Sequence, residues 1–232
     1  MTISVSIHGD ERVGALLTQK ISRRKDLELS ADGRCVIYIP GSSDDATDQV
    51  TSFLNAGIDT ICTAPLDAFT RADLLEACKA GGSTFHATGG FHTVLVTRFS
   101  RAFSRISRNI RRVELTEEVD GIDTSFSDSA HQNALRVLGE AVPESDDVRF
   151  ESISQDIATD SALLRYRLTT TTDDAVGHAT IRFNSGSGVH PADHLTCVGV
   201  LDAIRPVHES APGILHNELG IDYVQLDDQL SR

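Results

Sequence analysis

Short apolar runs alternate with amphipathic ones through the first hundred residues, and this alternation constrains the fold more than any other feature. Ile3, Val5 and Ile7 share one face of an extended run, and Val13, Leu16, Leu17 and Ile21 follow at helical spacing. LELSADGR then offers a short strand and a turn at Asp32-Gly33. CVIYIP, residues 35–40, is apolar throughout, which suits a strand buried on both faces of a parallel sheet. Polar caps precede Val50, Phe53 and Leu54, and Gly57 ends that helix. DTICTA reads as a buried strand, TRADLLEACKAGG as a helix, STFHATG as a strand and HTVLVTRFSRAFSRIS as a further helix. Strand and helix recurring at ~20–25-residue intervals predict an α/β sheet with right-handed crossovers.

Near residue 113 the pattern changes. RVELTEEVDGIDTSF is strand-like, a helix is expected over about 128–141, and DVRFESIS, ALLRYRLTTTT and GHATIRFN are three strand candidates. Strands in succession imply an antiparallel sheet. The expected architecture is therefore α/β: a truncated Rossmann-like parallel sheet over residues 1–126, then a smaller α+β domain with an antiparallel sheet over 127–232. A helix over 195–208 is expected to pack back on the first domain.

Composition narrows the partners. A formal charge of −13 over 232 residues leaves few cations to neutralise phosphates, which argues against nucleic acid and against an anionic membrane surface. No apolar run approaches the ~20 residues of a membrane helix. Cys35, Cys62, Cys78 and Cys197 show no C-x-x-C spacing and follow no secretory signal, so buried reduced thiols and a cytoplasmic location are expected.

The order of segments resembles the dihydrodipicolinate reductase-like superfamily, and within it the 2,4-diaminopentanoate dehydrogenase and amine dehydrogenase branch. The resemblance is carried by CVIYIPGSSDDATDQVTSFLNAGIDTICTA, by LLEACKAGGSTFHATGGFHTVL with its Ala87-Thr88-Gly89 turn, and by VLDAIRPVHESAPGIL. It implies a nucleotide domain followed by a substrate domain. Such dehydrogenases run well over 300 residues, so the chain is about a third short, with the second strand and its ribose-contacting end expected to be lost. The His-His and Lys pattern of dihydrodipicolinate chemistry is not visible.

The family turn G-x-G-x-x-G here reads Gly9-Asp10-Glu11-Arg12-Val13-Gly14. Glu11 stands where a glycine lets the backbone approach a pyrophosphate. At ~4 Å, like charges cost ~4 kcal/mol at a dielectric of ~20. Asp10 and Glu11 also suit a helix cap and its dipole. The turn is thus expected to be degenerate and the chain to have no cofactor, with NAD(P) disfavoured.

Ligands in open α/β sheets sit at the carboxyl ends of the strands. That places Pro40 to Ser43, Thr63 to Asp67 and Thr88 to His92 around one cleft. His92 is the expected acid/base, with Asp67 and Thr88 beside it; related amine dehydrogenases place an acidic residue near Asp67. His86, inside a strand, reads as a core histidine. Glu114, Glu117, Glu118, Asp120 and Asp123 read as a solvated face, with Glu117 opposite Glu114, Glu118 and Asp120. His190, Asp193 and His194 resemble metal ligands by type, but Pro191 and its glycines argue for a loop, and no metal is expected.

The function expected from sequence is a non-redox acid/base step (isomerisation, cyclisation or elimination) on a small organic molecule in the old cleft. The alternatives are an NAD(P)-dependent reductase or dehydrogenase of an imine or carbonyl, and a non-catalytic binding or assembly protein. A homo-oligomer is compatible with each.

Overall fold

The computed structural model describes residues 2–41, 46–94, 96, 109–120, 128–154, 162–184, 188–218 and 222–225. The first sheet is built from β1 (Ile3–Gly9), β2 (Leu27–Leu29), β3 (Cys35–Ile39), β4 (Asp59–Cys62), β5 (Thr84–Ala87), β10 (Gly213–Glu218) and β11 (Asp222–Gln225), in the order β11-β10-β5-β4-β3-β1-β2. All neighbours pair in parallel except β11, which returns antiparallel along β10.

Helices cover both faces because β3 and β4 are apolar on both sides. On one face α1 (Glu11–Ile21) and α6 (Pro191–Glu209) bring Val13, Leu17, Ile21, Val200, Ile204 and Val207 against Ile3, Val5, Ile37 and Ile61. On the other, α2 (Ala46–Asn55) and α3 (Arg71–Gly81) bring Val50, Leu54, Leu74 and Cys78 against Val36, Tyr38, Cys62 and Phe85. These two helices approach closely: a Cβ on Gly81 would lie 1.8 Å from the Leu54 carbonyl oxygen.

The short strand read from LELSADGR is present as β2, three residues long, so the second strand that the family resemblance implied to be lost is shortened rather than absent. It pairs with Ile3–Val5, the first half of β1, while β3 pairs with Val5–Gly9. The chain passes from one to the other in five residues, directly across β1, with no intervening helix. The Ser30 N–H donates to the Val5 carbonyl at 2.9 Å, and the Arg34 N–H to the Ser4 hydroxyl at 3.2 Å. A Cβ on Gly33 would stand 2.4 Å from the Ser6 nitrogen, so the crossing requires glycine there.

The second sheet has the order β7-β6-β8-β9, from β6 (Ile110–Val119), β7 (Asp147–Ser154), β8 (Ala162–Thr172) and β9 (Val176–Asn184). It is mixed, not antiparallel: β7 runs parallel to β6 because α5 (Asp128–Ala141) returns the chain to its starting end. The other pairings are antiparallel. Sheet membership does not divide at residue 126, since β6 lies in the second sheet and α6, β10 and β11 belong to the first. Val113, Leu115, Phe150, Leu164 and Leu168 pack under Ala134, Val137 and Leu138 of α5. The fourth helix, α4, is described at residues 90–94 and at 96; the remainder of the helix expected there lies outside the described residues, as do Ser42, Ser43 and Asp123. Among the described residues no helix is long and apolar enough to cross a membrane. All four cysteines are buried and outside any disulfide, and burial raises the Cys62 and Cys197 thiols to about 12, which removes them as nucleophiles near neutral pH.

Candidate functional site

The β1–α1 turn is set by its first glycine. Gly9 sits at φ +110°, and a Cβ there would lie 1.8 Å from the Ile39 carbonyl oxygen, so no other residue fits. Gly14 is less constrained: a Cβ would meet Ile7 at 3.5 Å, an ordinary contact. The Asp10 carboxylate accepts from the Val13 N–H at 2.9 Å, which is the expected cap. Glu11 opens α1 with its side chain exposed, so it adds negative charge to the first turn of the helix. Arg12, on the same turn, lies 3.2 Å from Asp193 at the start of α6. Burial raises the Asp193 carboxyl pKa, and Arg12 and His190 oppose that rise.

At the carboxyl edge of β4 and β5, the Thr88 N–H donates to the Cys62 carbonyl at 2.8 Å and the Gly89 N–H to Ala64 at 3.3 Å. Gly89 and Gly90 both take positive φ, 67° and 63°. Thr88 is buried, and its hydroxyl accepts from the Gly90 N–H at 3.4 Å, so it shapes the turn. This double-glycine turn starts α4 and carries His92 toward the second sheet.

There His92 meets a residue that the sequence reading assigned to solvent. The His92 Nδ1–H donates to Glu117 Oε1 at 2.6 Å. Glu117 is fully buried, and its carboxylate also accepts from the Ser152 hydroxyl at 2.9 Å and the Tyr166 hydroxyl at 2.6 Å. Burial, and then the Glu117 charge, push the Tyr166 phenol well above its ordinary value, so it remains a donor. Three donors on one carboxylate compensate the cost of burying it. The signal for Glu117 was present in the alternation, which places it in phase with Val113, Leu115 and Val119. Its neighbour Glu118, on the opposite face, pairs with Arg165 and Arg167.

Asp67 lies on a 3-10 turn, Leu66–Ala68, and pairs with Arg71 at 3.4 Å and with Arg136 of α5 at 3.6 Å. Arg136 also donates to Asn133 Oδ1 at 2.7 Å, Asn133 donates to the Thr93 hydroxyl at 2.8 Å, and Thr93 donates to the Gly89 carbonyl at 3.1 Å. Asp67 thus reaches the glycine turn through α5. His86 is a core histidine: its Nδ1–H donates to the Leu215 carbonyl at 2.9 Å, and burial lowers its pKa to about 4. His190 caps α6 by accepting from the Ala192 N–H at 3.1 Å, and its Nε2–H donates to the Asp120 carbonyl at 2.7 Å. His194 lies 3.2 Å from Lys20, so His190, Asp193 and His194 each have separate partners.

No family model and no curated protein matches the chain. Solved structures do. Dipicolinate-bound dihydrodipicolinate reductase from Paenisporosarcina sp. TG-14 is similar at TM-score 0.65 and 11% identity, covering 96% of this chain and 100% of that one. The chain has the dihydrodipicolinate reductase-like fold. An oxidoreductase from Sinorhizobium meliloti is similar at TM-score 0.55 and 14% identity, covering 100% and 94%. A myo-inositol dehydrogenase from Corynebacterium glutamicum ATCC 13032 is similar at TM-score 0.54 and 11% identity, covering 91% and 90%.

One correction follows. The proteins that share the fold are redox enzymes by name, which overturns the expected cofactor-free isomerase, cyclase or eliminating enzyme, and with it the expectation of no cofactor. Glu11 is exposed, so water and salt screen part of its charge at the turn.

Proposed function

We propose that the chain is an NAD(P)-dependent oxidoreductase that reduces an imine or carbonyl of a small organic molecule, or runs that reaction in reverse. The observation that carries this reading is the His92–Glu117 pair, fixed beside the double-glycine turn at the carboxyl edge of a Rossmann-like sheet. Gly9, which no Cβ could replace against the Ile39 backbone, keeps the tight strand-to-helix turn on which a pyrophosphate site of this kind depends. The backbone of Gly9 to Arg12 would hold the pyrophosphate of the coenzyme, and the turn at Thr88–Gly90 would border its nicotinamide end. When bound, the coenzyme supplies or accepts the hydride.

The protein's own residues then handle the proton. Glu117 holds the His92 ring through Nδ1, and Nε2, on the other edge of the ring, would be the atom that exchanges a proton with substrate. Thr88 holds the turn, and Asp67 holds α5 against it through Arg136.

Fluorescence titration with NADH and with NADPH tests the coenzyme, and micromolar binding is expected. Folded protein that binds neither would sink the reading. Once a substrate is found, His92→Gln is expected to lower kcat by about 10²–10⁴-fold while coenzyme affinity stays within about twofold.

A further inference from the structure

Glu117 does not stand alone in its sheet. Ser152 of β7 and Tyr166 of β8 are its register partners on either side, so three polar side chains form one row across β7, β6 and β8. The row crosses the face that α5 covers. Leu115 and Val119 flank Glu117 along β6, Leu164 and Leu168 flank Tyr166 along β8, and all four are core residues. A row of leucines would continue that core, and apolar replacement of buried polar groups is commonly neutral or stabilising. The fold therefore does not call for these side chains. Their common target is the carboxylate that meets His92.

The contacts divide by oxygen. Oε1 faces His92 Nδ1 at 2.6 Å and accepts from the Ser152 hydroxyl at 2.9 Å, whereas Oε2 accepts from the Tyr166 hydroxyl at 2.6 Å. A carboxylate turns readily about its last side-chain torsion, so bonds at Oε1 alone would leave the group able to swing. The phenol on Oε2 fixes its plane. The Phe91 ring lies 3.7 Å from the His92 ring, centroid to centroid, and is tilted by 36°, so His92 is held on one face as well as at Nδ1. Among the described residues, the titratable groups that touch Glu117 are His92 and Tyr166. Glu118 and its partners Arg165 and Arg167 lie on the opposite face of the sheet.

We propose that Tyr166 and Ser152 are positioning residues for proton transfer at His92: Tyr166 orients the Glu117 carboxylate, and the two hydroxyls draw off part of its charge and so set how tightly His92 holds a proton. The inference rests on the reading of His92 as the proton-transfer group. Burial and the Glu117 charge keep the phenol protonated, so Tyr166 acts as a donor and passes no proton itself.

The test is the ring titration of His92, followed by NMR on histidine-labelled protein, assigned with His92→Gln and read without substrate or coenzyme. Tyr166→Phe keeps the ring and removes one donor, and Ser152→Ala removes the other, with folding checked by circular dichroism. With a donor gone, more charge stays on the carboxylate. The midpoint is expected to rise by at least about 0.5 pH unit in Tyr166→Phe, about threefold in proton affinity, and by less in Ser152→Ala. Ser152→Thr, which keeps the hydroxyl, is expected to keep the wild-type midpoint, and Glu117→Gln to lower it by about 1 pH unit or more. Folded Tyr166→Phe and Ser152→Ala proteins whose midpoints both fall, or both stay within about 0.2 pH unit of wild type, overturn the proposal. If Tyr166→Phe does not fold, the contrast between Ser152→Ala and Ser152→Thr decides in the same way. Once a substrate is found, the pH profile of kcat/KM is expected to move by the same amount as the midpoint. Midpoints that move as expected in a protein that binds neither NADH nor NADPH uphold the row and overturn the coenzyme reading instead.

Discussion

Glu117 and His86 show how one residue's surroundings decide its chemistry. Glu117 is an acidic residue at a position whose phase is that of a core valine, and the cost of burying it is offset by donors from three different elements. His86 is buried and neutral, donating to the Leu215 carbonyl. Its folded pKa of about 4 lies below the ordinary 6.5, so the unfolded chain takes up the proton first as pH falls. The stability it contributes is complete above pH 6.5 and is lost as pH falls toward 4, at up to ~1.4 kcal/mol per pH unit. Urea unfolding at pH 7 and pH 5 measures this, and the wild-type chain should lose ~2 kcal/mol more over that interval than His86→Gln. At the turn, Glu11→Gly removes a negative charge and opens the backbone. Coenzyme affinity should rise about tenfold at low salt, with a smaller gain at high salt. An unchanged Kd would place no charge penalty on Glu11.

The β2–β3 crossing is the element that departs most from a doubly wound sheet. It replaces a helix with five residues laid on the backbone of β1, and that close approach is possible because Gly33 has no side chain. Gly33→Ala would drive a Cβ to 2.4 Å from the Ser6 nitrogen and 2.5 Å from the Val5 carbonyl carbon, neither of which is a flexible side-chain end. The expected loss is about 2–3 kcal/mol, seen as a lower urea midpoint, with β2 detaching before the rest of the sheet in hydrogen exchange. Gly82→Ala is the useful comparison: it carries only the strain of a φ of +68°, since its Cβ meets nothing within 4 Å.

Across the whole molecule, the two sheets meet through side chains that also define the candidate site. The His92–Glu117 bond joins α4 to β6, and the path from Asp67 through Arg136, Asn133 and Thr93 to Gly89 joins the 3-10 turn, α5 and the glycine turn. Leu195 of α6 packs into the core of the second sheet as well. Arg136→Ala breaks the path without touching the β1–α1 turn. It should lower kcat by about tenfold and leave the coenzyme Kd within about twofold, because the loss falls on positioning rather than on binding. Steady-state kinetics with fluorescence titration separates the two, and a matching loss of coenzyme affinity would contradict the assignment.

Much of the parallel sheet was legible because burial on both faces and helical periodicity are local properties of a run of residues. CVIYIP, DTICTA and the Gly-Asp turn before α1 each declare themselves within a few positions. His92 was legible for the same reason, standing just past a strand end and a glycine turn. Its partner was not, because Glu117 is 25 residues from His92 and 49 from Tyr166, and no local pattern carries a hydrogen bond over that distance. The direction of β7 and the place of β10 beside β5 were likewise decided by which surfaces remained to be buried once the helices had packed. Sequence alone determined which segments are strands and helices and where the strands end; tertiary packing decided which side chains face one another, and so made a buried His–Glu pair out of a run that reads as a solvated acidic strand.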